Sequence, residues 1–129
     1  MINASLTVLI WIVQLVVYPG FCYYSEANIK RWHPKYTLQI TYIVLPLMVS
    51  QLGVSVYLAF QQTASVTIIN LALVLATWLV TFLVSVPLHA AIDKELDSTL
   101  ARKKLVQTNW IRTILWTLIL VLSILSYGS

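Results

Sequence analysis

Residues 66–90 read VTIINLALVLATWLVTFLVSVPLHA, an unbroken apolar run without one charged side chain. An α-helix rises 1.5 Å per residue, so about 20 residues cross the roughly 30 Å hydrocarbon layer of a bilayer. This run is long enough. Three more segments have the same character, and together they predict helices over about Asn3 to Tyr23, Thr37 to Phe60, Val66 to Ala90 and Thr108 to Tyr127. The composition agrees: 60% of residues are hydrophobic and 9% charged, against roughly 25% charged in a soluble domain. A soluble fold of 129 residues could not hide so much apolar surface. The expected fold is all-α, a polytopic membrane four-helix bundle forming a single transmembrane domain over residues 1–129.

The charges sort themselves between the spans. Apart from Arg112, they lie in two stretches, Glu26 to Lys35 and Asp93 to Lys104. The first stretch holds Lys30, Arg31 and Lys35, and the second holds Lys94, Arg102, Lys103 and Lys104, whereas residues 61–65 and the tail after Tyr127 are uncharged. Basic residues are retained on the cytoplasmic side, so both charged loops are expected there and both termini opposite, in an N-out/C-out arrangement. Two basic clusters separated by apolar spans read as loops at a membrane face, and not as a nucleic-acid footprint. No basic residue precedes Lys30 and no small-residue cleavage site follows Val17, so the first span reads as a retained helix and not a signal peptide.

Within the second stretch, Ile92, Leu96, Leu100 and Leu105 recur at near-helical spacing, with acidic residues first and basic residues last. That order suits a helix dipole and predicts a short amphipathic cytoplasmic helix between helices three and four. Cys22 is the lone cysteine, which excludes an intrachain disulfide and a thiolate cage, and no metal site is expected. Nucleophilic triads, phosphate loops and zinc motifs are absent.

Polar residues inside the spans are the candidate chemistry. Helix one carries Gln14 and Tyr18 on one face, followed by Pro19 and Gly20, which should kink or end it. Helix two carries a stripe of Tyr42, Pro46, Ser50, Gly53 and Tyr57, with Gln51 beside it. Helix three has Thr77, Thr81, Ser85 and His89 at four-residue intervals, and helix four opens with Asn109, Trp110, Arg112 and Thr113. Small and hydroxylated residues let membrane helices approach closely, so most of these read as packing. Gln14, Tyr18, Tyr42, His89, Asn109 and Arg112 fall in one layer, with Gln51 deeper. An intramembrane Arg costs several kilocalories per mole unless it pairs or snorkels. Arg112 is therefore either a snorkelling anchor or an inward group bonded to Asn109, His89 or an oxygen of a ligand. His33 and His89 leave a two-histidine haem and a capping or interface role both open. No acidic residue lies in a predicted span, which argues against a proton-coupled pump and against a di-metal carboxylate site.

The elements Gln14-x-x-x-Tyr18-Pro19, His33, Pro46, Pro87-x-His89 and Asn109-Trp110-x-Arg112-Thr113-x-x-Trp116, in that order, resemble a group of small bacterial four-helix membrane proteins without assigned function. The Asn-Trp-Ile-Arg-Thr run is the most specific piece. Such proteins often carry a glutamate where this chain has Gln51. More remotely, the layout resembles the anthrone-oxygenase-like membrane proteins, which implies oxidation of an aromatic, lipid-soluble substrate. The resemblance places the chain in a bacterial inner membrane.

Two functions follow as expectations. The first is a polar pocket in the cytoplasmic half that binds a small lipid-soluble molecule (a quinone, an aromatic or a lipid headgroup), with or without redox chemistry. Gln14, Tyr18, Tyr42, His89, Asn109 and Arg112 would bind it, His33 would cover the mouth, and His89 would be the acid–base group. The second is a non-catalytic accessory or assembly subunit of a larger membrane complex, with other subunits or a second copy as partners and the polar layer as glue between helices.

Overall fold

The structure is a computed structural model and describes residues 1–127. The tail after Tyr127, read above as an uncharged non-cytoplasmic end, lies outside them. Four long helices, α1 (Ile2–Phe21), α2 (Glu26–Gln61), α3 (Ser65–Lys94) and α4 (Thr99–Tyr127), account for nearly all of the described chain, and no strand occurs among the described residues. Each is long and apolar enough to cross a membrane. They form a ring in chain order, α4 closing on α1, so both charged segments come to the same end of the bundle.

Two helices begin earlier than their apolar runs. α2 starts at Glu26 and not near Thr37, because Ser25 caps it: the Asn28 N–H donates to Ser25 Oγ at 3.2 Å, and Glu26 occupies the first turn. α4 starts at Thr99 and not near Thr108. Just before it, the Thr99 hydroxyl and backbone N–H donate to Asp97 and hold that exposed carboxyl below its usual range. The charged stretches are therefore mostly helix ends standing beyond the apolar spans.

The separate amphipathic helix expected between helices three and four is not found among the described residues. Only residues 95–98 part α3 from α4. Ile92 and Leu105 are buried in the ends of the two long helices, whereas Leu96 and Leu100 are exposed. Periodicity across this segment belonged to two helices and not to one.

The expected stripe on helix two also turns out differently. Tyr42 and Tyr57 are 71% and 61% exposed, and Pro46, Ser50 and Gly53 are exposed as well. The face that α2 buries carries Ile29, His33, Tyr36, Met48, Gln51 and Ser55 instead. The helix runs through Pro34 and Pro46 uninterrupted.

In α1 and α3 the ladder widens to a π turn, at Val13–Val17 and Thr81–Ser85. Each closes on an N–H five residues along, Tyr18 to the Val13 carbonyl and Val86 to the Thr81 carbonyl. A proline follows at once in both, Pro19 and Pro87. Proline has no N–H to donate, and its ring crowds the carbonyl four residues back, here Leu15 and Leu83. Widening the turn relieves that conflict without ending the helix. α1 then does end, at Phe21, as its Pro19–Gly20 pair suggests.

The charged end is held by Arg102, only 5% exposed. Its Nη1 donates to the carbonyls of Phe21 and Tyr24, both at 2.8 Å, and its Nη2 to Glu26. The Ser98 N–H and hydroxyl donate to the same carboxylate. One guanidinium on α4 thus caps the C-terminus of α1 and ties down the start of α2. Replacing Arg102 with alanine should lower stability in a fixed detergent by about 2–3 kcal/mol, since charge-assisted bonds to buried carbonyls are lost. Arg102→Lys should recover only part, because an ammonium lacks the planar fork. Equal unfolding midpoints for wild type and Arg102→Ala would contradict the clasp.

Candidate functional site

The bundle encloses a cavity of about 490 Å³. Its walls grade along the axis. Toward the charged end they carry Tyr18, Tyr36, His89 and Asp93, then Ser85 and Arg112; beyond these they are mainly apolar, with Leu6, Ile10, Val44, Met48, Trp78 and Trp116. Thr41 and Leu45 of α2 and Phe82 and Val86 of α3 line it and are also exposed. The cavity therefore opens sideways between α2 and α3, toward the surroundings of the apolar helix surface.

Arg112 points inward: it is 6% exposed and lines the cavity. Its guanidinium lies over the Trp116 ring, 5.0 Å from the centroid. Nη1 reaches Ser85 Oγ and Asn109 Oδ1 only at 3.4 Å, the outer limit of hydrogen bonding, and Nε is buried without a partner. Among the described residues no carboxylate pairs with it. It also bears on the Tyr18 hydroxyl as a hydrogen-bond donor, and its charge reaches Tyr36 and His89.

The residues behind Arg112 are, by contrast, bonded closely to one another. Gln14 donates to the Val106 carbonyl at 3.0 Å and accepts from Asn109 Nδ2 at 3.0 Å and from the Thr113 hydroxyl at 3.3 Å. A deeper layer supports Trp116. Its indole N–H donates to Gln51 at 3.1 Å, Gln51 donates to Asn3 at 2.8 Å, and Asn3 donates to Ser123 at 2.6 Å. The hydroxyls of Thr41 and Thr81 bond carbonyls of their own helices, so they offer the cavity little.

The two histidines lie together. His33 Nε2 is 2.8 Å from His89 Nδ1, and the rings stack with centroids 4.9 Å apart. His33 Nδ1 lies 2.7 Å from Asp93 Oδ1, and His89 Nε2 lies 2.9 Å from the Tyr18 hydroxyl. Phe21 and Tyr36 wall in the pair edge-on and tilted. Because each histidine occupies the other's nitrogen, the two rings are not arranged as axial ligands on opposite sides of a haem. No group of three or more metal-binding side chains that could hold an ion occurs among the described residues.

Of the residues singled out from sequence, Tyr18, His89 and Arg112 line the cavity, and Gln14 and Asn109 brace Arg112 from behind. His33 is fully buried and acts through its neighbours, not as a cover over the mouth. Tyr42 does not join them, since it faces outward, and Tyr36 takes the place of α2 in the layer. Two further members had a readable signal: Asp93 stands four residues after His89, and Tyr36 three after His33, each on the same helix face. By sequence alone Asp93 reads as a loop charge, since it stands just beyond the apolar run.

Comparison with protein-family models, with curated proteins and with solved structures gives no match.

Gln14→Leu should destabilise the protein by about 1–3 kcal/mol, because the Asn109 amide and the Val106 carbonyl lose buried partners. Combining it with Asn109→Leu should cost less than the sum of the single changes in a double-mutant cycle. Strict additivity would mean that the pair is not coupled.

Proposed function

We propose that the chain is a multi-pass protein of a bacterial inner membrane that binds a small lipid-soluble molecule in this cavity. The molecule would carry a carbonyl, phenolic or anionic oxygen on an apolar or aromatic body, as quinones, simple aromatics and some lipid headgroups do. The observation that carries this reading is the unmatched guanidinium of Arg112. A permanent cation that is nearly inaccessible, with Nε unbonded, two bonds at 3.4 Å and only the Tyr18 hydroxyl besides, is costly in an apolar bundle unless an oxygen ligand completes it. The mainly apolar cavity beside it, with a few convergent polar groups at one end, has the character of a small-molecule site. The sideways opening supports entry from the lipid. His89, reached through the Tyr18 hydroxyl, is the acid–base group of this reading.

The positive-inside rule supports placing the charged end, and with it the polar end of the cavity, toward the cytoplasm, with both termini opposite. In a Cys22→Ser background, Thr63→Cys protein should react with an impermeant thiol reagent on intact cells, and Lys103→Cys protein should not. The reverse pattern would overturn the orientation.

Binding can be tested with decylubiquinone, 4-nitroanisole and a short-chain phosphatidic acid, titrated against tryptophan fluorescence, because Trp78 and Trp116 line the cavity. At least one should quench in the wild type. Arg112→Leu should bind it at least about tenfold more weakly, which corresponds to losing about 1.4 kcal/mol. Arg112→Lys should also weaken binding, because an ammonium does not reproduce the oriented fork. Saturable binding that is unchanged in both variants would sink the role of Arg112, and no binding by any of the three would sink the pocket.

A further inference from the structure

We infer that Tyr18, His89, His33 and Asp93 form a proton relay from the cavity to the charged end of the bundle, and that the ligand is accordingly a phenol or hydroquinone whose hydroxyl proton leaves along it. The inference rests on the cavity reading above and adds the chemistry of the bound group.

With Asp93 a carboxylate and His33 neutral, the geometry fixes a direction. Asp93, as a carboxylate, is only an acceptor, so His33 must present an N–H at Nδ1 across the 2.7 Å contact. A neutral His33 then has a lone pair on Nε2 and accepts from His89 Nδ1–H at 2.8 Å. His89 in turn has a lone pair on Nε2 and accepts the Tyr18 O–H at 2.9 Å. One carboxylate sets both tautomers and orients the tyrosine hydroxyl, so three contiguous bonds point the same way. The oxygen lone pairs of Tyr18 are left facing the cavity and Arg112.

The transfer balances without an oxidant or a charged imidazole. The ligand O–H passes its proton to Tyr18 oxygen as Tyr18 passes its own to His89 Nε2. His89 Nδ1 releases its proton to His33 Nε2, and His33 Nδ1 releases its proton to Asp93. At the end the ligand is an oxyanion, Tyr18 and both histidines are neutral with the histidines in their other tautomers, and Asp93 is a carboxylic acid. Asp93 is 31% exposed, and it stands at the last turn of α3, where it can give the proton to water. The oxyanion gains the Arg112 guanidinium, whose Nε is buried without an acceptor. Tyr36 of α2 and Arg112 of α4 are the other titratable groups facing this chain, and both bear on the Tyr18 hydroxyl, where the ligand would join it.

The intact protein in detergent tests this with 4-nitrophenol, which is yellow only when ionised, and with 4-nitroanisole, its non-ionisable ether. After an upward pH jump in a stopped-flow mixer, bound 4-nitrophenol should ionise rapidly in the wild type. In Asp93→Asn, where the amide oxygen still accepts from His33 but cannot take the proton, the rate should fall about a hundredfold, and His33→Gln should do the same. Because Asp93 also lines the cavity, the rates are compared with the sites saturated, and both variants should still bind 4-nitroanisole. Equal ionisation rates in wild type and variants, or loss of 4-nitroanisole binding in the variants, would overturn the relay and leave a structural network. Wild-type protein that binds 4-nitroanisole but keeps 4-nitrophenol colourless overturns the relay while the cavity reading stands. Failure of the wild type to bind either probe overturns both.

Discussion

A guanidinium cannot discharge itself, and Arg112 holds one nine-tenths out of reach of solvent in the middle of an apolar bundle. Much of the surrounding structure is arranged about that charge. Gln14 is anchored to the Val106 carbonyl so that it can hold Asn109, and Asn109 turns its carbonyl oxygen toward the charge. Trp116 offers its ring face beneath it, and is fixed there through Gln51, Asn3 and Ser123, which tie α2, α1 and α4 together toward the uncharged end of the bundle. Gln14, Asn109 and Trp116 each make a bond of 3.1 Å or shorter, whereas Arg112 Nη1 reaches Ser85 and Asn109 only at 3.4 Å and its Nε has no partner.

The charged end works by a different rule. There, Arg102 is equally buried and its Nε is likewise unbonded, but both terminal nitrogens are held at close range, by two carbonyls and a carboxylate. The two arginines lie on one helix and share one sequence neighbourhood, and only their partners separate them. Arg102 closes the structure, because the orphan carbonyls at the end of α1 must find donors somewhere. Arg112 leaves the structure open, because no comparable acceptor has been supplied.

Hydropathy made the four helices and their order legible, since few other sequences are this apolar over such lengths. It could not locate the helix ends, because the charged turns of α2 and α4 carry polar composition and helical backbone together. Ser25 followed by Glu26 was the available cue. Burial was legible for helices one, three and four, where Gln14, Tyr18, His89, Asn109 and Arg112 all turn inward or half inward. It failed for helix two, where polar and small residues drew attention to the face bearing Tyr42, although bulk apolar surroundings place no demand on such residues to be inside. The contact between His33 and His89 joins positions far apart in the chain, and no local pattern encodes it.

The two π turns have a consequence for how side chains line up. Along α1 the inward residues Leu6, Ile10, Gln14 and Tyr18 fall every four positions, and along α3 Thr77, Thr81, Ser85 and His89 do the same. In an α-helix each such step overshoots a full rotation by about 40°, so three steps would drift about 120° and carry the last residue to the outside. A turn closed at the fifth residue winds one extra residue into the rotation and cancels most of that drift. Tyr18 and His89, the two ends of the 2.9 Å contact, face each other because both helices have been retimed by the same device. Each helix is in effect an α-helix with one residue inserted, and the phase of everything downstream is set by that single count.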